Sequence, residues 1–495
     1  MAIVAISSVA RSRLGVSLPL LLGLVVYSEV VLFGGILIRD GDPYWHIAIG
    51  RWIIAHHAVP TREVFSFSMA GTPWMPPEWL FEIVMAWLYD HFGWGGLVAA
   101  TGLSVAAALM LVTRALLHSL PPVIAMIGAG LTWNISLSCP TARPPIFALP
   151  ILVAWTAALV VARRRDRRPS PALALLMVLW VNLHPSYLVG LGLTALLAVE
   201  AIVLAPDWPT RVRATRGWGL FCILSIATTL VTPFGIDGLL LPFKLTDMPF
   251  TATFVSEWQS PNFQQFNPLE LWLMVVVFAG LSLDWRLPPI RVGMVLFLLH
   301  TALVHARHVV LVGFVAPLLL APVLAPHFRR AFGDPRTAPI DRAMVELAKP
   351  ANATGIVIAS VALLAVSAWG LRSSAIRPII AMPERALATA AANHVEGPVL
   401  NDWNFGGYLM FRGVKPFIDG RYLPYGDPFV RRFYEATRVP DGRLPRLLSE
   451  YGITWTLLTP EYPAVLLLDH LPGWRRLYAD DVAVVHVRDD AAARD

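Results

Sequence analysis

The stretch Arg39-Asp40-Gly41-Asp42-Pro43-Tyr44-Trp45-His46 directly follows the first long apolar run of the chain. It places two carboxylates and an imidazole at the end of a predicted membrane span. Charge at a membrane is costly to keep and usually marks function. The stretch is therefore the first candidate site, and the remaining sequence indicates on which side of the membrane it lies.

The composition is that of a polytopic α-helical membrane protein. Of the 495 residues, 56% are hydrophobic and 15% are charged, and the mean hydropathy is +0.60. Soluble proteins carry about 25% charged residues. Long uncharged runs predict membrane helices and not a β-barrel. The formal charge of +6 comes from short basic loops between spans, so it does not indicate binding to nucleic acid.

About eleven apolar runs have, or approach, the length of a membrane-spanning helix. They cover residues 16–38, 95–117, 121–138, 143–162, 171–184, 186–205, 217–234, 267–283, 290–304, 308–326 and 352–371. The first run follows Arg11 and Arg13 without a clear cleavage site, which predicts a retained helix. Cys139 and Cys222 lie far apart, near or within spans, and predict no disulfide framework.

The segment 78–92 is apolar but carries three carboxylates, so its placement decides the topology. The basic loops 163–168, 211–216, 286–291 and 329–349 all lie on the cytoplasmic side only if this segment does not cross the membrane. We therefore predict interfacial helices on the outer surface at 78–92 and 44–57.

This choice places the N-terminus in the cytoplasm and the C-terminus outside. The predicted outer loops are then residues 39–94 and 235–266.

Charged residues, glycine and proline return from about residue 372 onward. We predict a transmembrane domain over 1–371 and an extracytoplasmic α/β domain over 372–495. Short apolar runs in the second domain predict strands at PVLND, KPFID, WTLLT and VAVVHV. The segments DPFVRRFYEAT and GRLPRLLSEYG predict helices.

On this topology the polar residues at the ends of spans collect on the outer side. They are Asp40, Asp42, His46, Glu78, Arg143, Asn182, His184, Glu257, His305, Arg307 and His308. Independent structural roles would not require one shared side of the membrane, so their common location indicates a site.

Each of these residues also has a structural interpretation. Asp42 precedes Pro43 and a helix start, so it could be an N-cap, and Asp40 could pair with Arg39. Arg143 could anchor at the lipid headgroups. The remaining alternatives are a first-turn residue for Glu78, a cap and tight turn for Asn182 and His184, and a cap or solvated charge for Glu257.

These residue types fit group transfer at the membrane surface. A carboxylate can act as general base toward an acceptor hydroxyl. Arginines can hold a lipid phosphate in bidentate geometry, and histidines can orient that phosphate or carry a proton. Asp40, Asp42 and Glu257 could supply oxygen ligands to a divalent metal, although no spacing requires one.

The motifs DGDPYWHIAIGRWI and VPTREVFSFSMAGTPWMPPEWL resemble the first outer loop of GT-C-type bacterial membrane glycosyltransferase-like proteins. WVNLHPSYLVG, VTPFG, SEWQSP, HARHVVL and LNDWNFGGYLMFRGVKPFIDGR also resemble that poorly characterised group. The resemblance touches most of the chain in short motifs, and it implies a GT-C-like helical bundle with an outer C-terminal domain.

The resemblance further implies an inverting enzyme that uses a polyprenyl-phosphate sugar as donor. By the resemblance, Asp42, or Asp40, would be the catalytic base. From the residue types themselves, we predict that Arg143 and Arg307 bind the donor phosphate. The C-terminal domain, including Asp419 and Arg421, would bind or position a lipid, glycan or protein acceptor. The pair Gly406–Gly407 predicts a tight strand turn and not a phosphate-binding loop.

Two other classes of function remain open from the sequence. A transporter or flippase for a lipid-linked glycan would show inverted repeats and charged mid-membrane helices. We predict spans almost free of buried charge, which favours the enzyme. A non-catalytic scaffold for envelope assembly would tolerate joint substitution of the outer carboxylates and arginines.

Overall fold

A computed structural model describes residues 11–137, 141–244, 248–283, 285–332, 339–373, 376–439 and 442–489. The chain forms two compact units. The first comprises Met1–Leu37, Phe92–Gly235 and Val255–Ile376, and the second Ile38–His91, Ile236–Phe254 and Arg377–Asp495. The second unit thus combines C-terminal residues with parts of both predicted outer loops. The boundary at 371/372 stays a prediction, and Cys139 lies outside the described residues.

The first unit is built from helices. They are α1 (Leu18–Leu32), α3 (Trp79–Leu117, shared with the second unit), α4 (Pro122–Ser136), α5 (Pro144–Arg164), α6 (Leu173–Leu183), α7 (Tyr187–Val203), α8 (Trp208–Thr229), α11 (Pro268–Ser282), α12 (Pro289–Val304), α13 (Val309–Phe332), α14 (Pro339–Leu347) and α15 (Ala353–Arg372). Each of the predicted apolar runs overlaps one of these helices.

Four described helices are long and apolar enough to cross a membrane: Trp79–Leu117, Pro144–Arg164, Ala306–Ala331 and Ala353–Arg372. Six shorter apolar helices accompany them. The protein is therefore a multi-pass helical membrane protein, while the count of eleven spans and their orientation stay predictions. Helix α8 begins nine residues before the predicted run, because the Asp207 side chain caps it by accepting the Thr210 N–H at 2.7 Å.

Helix α3 contains a break that matches a predicted boundary. Gly93 has φ 59° and ψ −155°, which are not helical values and which favour glycine. Residues 79–92 and 94–117 are thus separate helical segments. The break falls between the predicted interfacial segment 78–92 and the predicted span 95–117.

The prediction of spans almost free of buried charge is wrong. Glu200 on α7 is 5% exposed and Arg291 on α12 is 4% exposed, and their Oε2 and Nε atoms lie 2.6 Å apart. Arg163 on α5 lies 3.4 Å from the same carboxylate, and Arg291 also donates to the Leu319 carbonyl of α13 at 3.2 Å. All three charged residues lie within about one turn of a helix end. Glu200 and Arg291 fall inside the predicted runs 186–205 and 290–304, and Arg163 directly follows the run 143–162.

The second unit contains a four-stranded sheet of order β1-β2-β4-β3. The strands are β1 (Val399–Asn401), β2 (Trp455–Leu458), β3 (Trp474–Ala479) and β4 (Val484–Arg488). The β1/β2 pair is parallel, and β4 runs antiparallel to both β2 and β3. The described helices of this unit, besides its share of α3, are α2 (Asp42–His56), α9 (Gly235–Lys244), α10 (Pro249–Ala252), α16 (Glu384–Ala392), α17 (Gly406–Phe411), α18 (Gly426–Arg438), α19 (Arg443–Glu450) and α20 (Pro463–His470).

Both faces of the strands β1, β2 and β4 are largely buried. Leu400 and Leu458 pack on one face with residues of α18, α19 and α20. Val399 and Leu457 pack on the other face with residues of α16 and α17. Neighbouring strand residues therefore point into two cores, as the pleat requires.

The strand prediction at KPFID is wrong, and β3 was missed. Residues 415–419 have no strand partner because the Asn401 side chain binds their backbone instead. Its amide oxygen accepts the Phe417 N–H at 2.7 Å, and its amide nitrogen donates to the Ile418 carbonyl at 2.8 Å. The sequence WRRLYA of β3 is largely exposed, so it lacked the apolar run used to find strands.

Candidate functional site

The two aspartates of the opening motif have different local roles. Asp42 is the first residue of α2, and Gly41 is the N-cap. The Asp40 carboxylate accepts the backbone N–H of Asp42 at 3.1 Å, so Asp40 binds a backbone group at this helix end. The Asp42 Oδ1 atom accepts the indole N–H of Trp45 at 3.2 Å. A helix N-terminus favours an ionised carboxylate.

Two glycines of the C-terminal segment border this motif. A Cβ atom on Gly407 would lie 2.7 Å from the Gly41 carbonyl oxygen and 3.2 Å from Trp45 Cδ1. A Cβ atom on Gly420 would lie 3.1 Å from Asp42 Oδ1. The prediction of a strand turn at Gly406–Gly407 is wrong, because both residues open helix α17. Because glycine has no side chain, the backbone at Gly407 can approach Gly41, and the backbone at Gly420 can approach Asp42.

A buried ionic network holds the segment that carries Gly420. The Arg421 guanidinium donates to Asp419 Oδ2 at 2.7 Å and to Glu63 Oε2 at 2.8 Å. The Tyr425 hydroxyl donates to Asp419 Oδ2 at 2.6 Å. Burial alone would lower the pKa of Arg421, but the charges of Asp419 and Glu63 raise it well above its ordinary value. Arg421 therefore stays charged, and its contacts favour positioning over direct substrate binding.

His46 is also enclosed by protein groups. Its side chain is 2% exposed, and its Nδ1 atom lies 3.6 Å from Oε1 of Glu82, which is 1% exposed. The ring lies 3.4 Å from the Trp45 ring and 5.1 Å from the Phe81 ring, measured between centroids. Glu78 is half-buried just before α3, and its carbonyl accepts the Glu82 N–H at 3.0 Å. These contacts favour a supporting role for His46 beneath Trp45.

The first unit contains a second polar group, built around the turn Ser256–Trp258. Glu257 in this turn forms an ion pair with Arg143, the N-cap residue of α5. The next residue, Trp258, lies under the Arg307 guanidinium, with 4.8 Å between Cζ and the ring centroid. One short turn thus holds both predicted phosphate-binding arginines through adjacent side chains.

Histidines complete this second group. The His305 Nδ1 atom donates to the Trp258 carbonyl at 2.7 Å, and the rings of His305 and His308 lie 5.4 Å apart. Beyond the end of α6, His184 accepts the Ser186 N–H at 3.0 Å.

Asn182 links two helices and does not cap one. Its amide nitrogen donates to the Val178 carbonyl at 2.8 Å and to the Val231 carbonyl at 2.9 Å. The bond to Val231 ties α6 to the segment that directly follows α8. The predicted role in substrate binding stays a prediction, and the observed contacts give Asn182 a structural function.

The predicted site residues thus fall into two groups. Asp40, Asp42, His46, Glu78, Asp419 and Arg421 belong to the second unit, and Arg143, Asn182, His184, Glu257, Arg307 and His308 belong to the first. Site selection from sequence missed four of their partners: Glu63, Glu82, Tyr425 and Trp258. Glu63 is separated from Arg421 by 358 positions, so no local pattern could connect them.

The described residues do not favour a metal centre. Within the described ranges, no group of three or more His, Cys, Asp or Glu side chains could hold a metal ion. Of the suggested ligands, Asp40 accepts a backbone N–H and Glu257 is paired with Arg143. We therefore assign no chemical step to a metal.

Asp427 anchors α10 of the second unit and gives a prediction for stability. Its carboxylate accepts the Phe250 N–H at 2.9 Å, the Thr251 N–H at 2.8 Å and the Thr251 hydroxyl at 2.7 Å. Burial opposes ionisation, but these bonds lower its pKa below the ordinary 3.8. The carboxylate therefore stabilises this contact at neutral pH, and its contribution is lost as the pH falls through the lowered pKa.

Substitution of Asp427 by alanine should raise hydrogen exchange at residues 248–254 roughly tenfold or more at pH 7, because bonds to a charged acceptor are lost. The control is Asp480→Ala, since Asp480 accepts backbone N–H groups only in its own turn. Unchanged hydrogen exchange at residues 248–254 in the Asp427 variant would show that the bonds to Asp427 do not stabilise α10.

Comparison with solved structures identifies the fold. The archaeal oligosaccharyltransferase AglB from Archaeoglobus fulgidus, in complex with an inhibitory peptide and a dolichol-phosphate, matches with a TM-score of 0.55 and 10% identity, over 89% of this chain and 69% of that chain. The Archaeoglobus fulgidus oligosaccharyltransferase tethered to an acceptor peptide matches with a TM-score of 0.51 and 10% identity, over 89% and 68%. The arabinofuranosyltransferase AftD from Mycobacteria matches with a TM-score of 0.51 and 15% identity, over 94% and 40%.

The fold is accordingly that of the GT-C-type membrane glycosyltransferases, as the sequence motifs predicted. No protein-family model matches the sequence, and no curated protein matches it. At these identities the similarity establishes the fold, and function must be argued from the residues themselves.

Proposed function

We propose that this protein transfers a sugar from a polyprenyl-phosphate donor to an acceptor hydroxyl on the outer face of a bacterial plasma membrane. The observation that carries the proposal is the placement of Asp42 at the start of α2, bordered by Gly420 and held by Trp45. The GT-C fold supports glycosyl transfer as the reaction class.

In the proposed reaction Asp42 is the general base. Its carboxylate takes the proton of the acceptor hydroxyl while the acceptor oxygen bonds to the anomeric carbon of the donor sugar. The bond between that carbon and the phosphate oxygen breaks, and its electron pair leaves on the phosphate. The products are an inverted glycoside and a free polyprenyl phosphate.

Arg143 and Arg307 are proposed to bind the donor phosphate. Each guanidinium is held by a neighbour, Arg143 by Glu257 and Arg307 by Trp258. Negative charge grows on the phosphate as the sugar leaves, and fixed guanidinium groups stabilise that charge. His184 and His308 are proposed to orient the same phosphate.

The C-terminal segment 372–495 is proposed to position the acceptor, which could be a lipid, a glycan or a protein. Asp419 and Arg421 contribute by fixing the segment that includes Gly420. This assignment requires the predicted topology, with the N-terminus in the cytoplasm and the C-terminal domain outside.

The position of the buried charged residues argues against the transporter alternative. A transporter places charged residues near the middle of the membrane. The buried ions Glu200, Arg291 and Arg163 instead lie at helix ends, where they join α5, α7 and α12. A scaffold is distinguished by experiment, because it would keep its function when both site arginines are replaced.

Lipid mass spectrometry of the purified protein tests donor binding. We expect wild-type protein to retain a polyprenyl phosphate, with or without sugar, and Arg143→Ala/Arg307→Ala to lose it. The matched control is Arg211→Ala/Arg213→Ala, which removes two exposed arginines of α8.

Arg307→Gln alone is a milder variant, because it leaves the Arg143–Glu257 pair intact. It should lower the retention of polyprenyl phosphate roughly tenfold. Equal retention in the wild type, both site variants and the control would contradict this phosphate site.

A further inference from the structure

A cavity of about 380 Å³ lies in the first unit among α3, α5 and α13. Its walls are apolar, including Leu111, Ala157 and Leu318. Small side chains on α5 leave the space between the three helices unfilled. The cavity is therefore suited to a hydrocarbon chain.

Basic side chains lie at one end of this cavity. Arg114 lies in the last turn of α3, His118 directly follows that helix, and Arg164 is the last residue of α5. The Arg164 guanidinium donates to the Ser119 hydroxyl at 3.2 Å, and both residues line the cavity. No acidic side chain is among the described residues that line the cavity.

This cavity is distinct from the proposed donor site. Arg143 and Arg164 mark opposite ends of α5, a helix of 21 residues. At 1.5 Å per residue, they are separated by about 30 Å, roughly the thickness of the hydrocarbon core. The catalytic proposal therefore does not account for the basic groups at this end.

We propose that the cavity binds an anionic glycerophospholipid from the surrounding bilayer. One acyl chain occupies the apolar space, and the phosphate is bound by Arg114 and Arg164. The charge of the lining selects the occupant, because the described lining has two guanidinium groups and no carboxylate, and such a lining favours a headgroup with net negative charge. On the proposed topology this lipid belongs to the cytoplasmic leaflet.

Native mass spectrometry with phosphatidylglycerol and phosphatidylcholine of identical chains tests the proposal. The wild type should bind phosphatidylglycerol about tenfold or more tightly than phosphatidylcholine, and Arg114→Gln/Arg164→Gln should remove this preference. The matched control is Arg165→Gln/Arg167→Gln, which removes two exposed arginines outside the cavity and should keep the preference.

A second variant keeps the charges and fills the cavity. Ala158→Phe should lower phosphatidylglycerol binding about tenfold, which tests the site even if the double arginine variant fails to fold. An unchanged preference in the arginine variant, or an equal loss in the control, would overturn the proposal. Displacement of phosphatidylglycerol by equimolar polyprenyl phosphate would overturn the assignment to a bilayer phospholipid. None of these results depends on transferase activity.

Discussion

Asp42→Asn should reduce sugar transfer by roughly 100- to 10,000-fold, the range expected when a general base is removed. The amide keeps an oxygen that can accept the Trp45 indole N–H, so the start of α2 should keep its structure. Retention of the donor lipid should be unchanged, since the phosphate is assigned to Arg143 and Arg307. The measurement is transfer by purified protein in proteoliposomes, together with lipid retention on the same sample.

Asp40→Asn is the matched control for this prediction. Asp40 accepts a backbone N–H, a bond that an asparagine oxygen can also accept. We expect transfer within a few-fold of wild type in this variant, because no proton transfer is assigned to Asp40. Full activity of the Asp42 variant would remove Asp42 from the mechanism. Equal loss in both variants would show that the effect is structural.

Arg421→Met should lower the stability of the second unit by about 3–5 kcal/mol, the usual cost of removing one partner of a buried ion pair. Glu63 and Asp419 have fully buried side chains and would lose their shared cation. Transfer should also fall, because these contacts fix the backbone at Gly420 beside Asp42. The measurement is thermal and denaturant unfolding of the detergent-solubilised protein, followed by tryptophan fluorescence.

Arg432→Met gives the comparison for this second prediction. Arg432 pairs with Glu450 at the surface, with both side chains 44–51% exposed. Exposed pairs contribute about 0–1 kcal/mol, so this variant should be nearly as stable as wild type. Neutralising the buried partners, in Glu63→Gln/Asp419→Asn/Arg421→Met, should recover part of the loss. Equal stability of the two single variants would contradict the role of the buried network.

Much of the membrane fold could be predicted because its signals are local. A run of apolar residues is sufficient to predict a helix, and the helix predicted over 44–57 corresponds to α2, which begins two residues earlier, at Asp42. The break at Gly93 falls directly after the predicted interfacial segment 78–92. The number of spans and the sidedness depend on a bilayer, so helix bounds alone do not determine them.

The missed features depend on contacts between distant residues. KPFID has the apolar content of a strand, but the Asn401 amide binds its backbone in place of a neighbouring strand. Asp419 and Arg421 are charged and were expected at a binding surface, whereas Glu63 and Tyr425 enclose them. The sequence could indicate which residue types carry the chemistry, but it could not separate those that face a substrate from those that hold the site together.

The most direct test of the account is to incubate wild-type protein with a lipid extract of its source membranes and to follow the polyprenyl-phosphate sugars by mass spectrometry. We predict that one sugar-bearing species decreases while the corresponding free polyprenyl phosphate increases in equal amount. The test requires folded protein, an extract that contains such donors, and a membrane fraction that contains the acceptor. If the donors then remain unchanged, the result would contradict the proposed transferase.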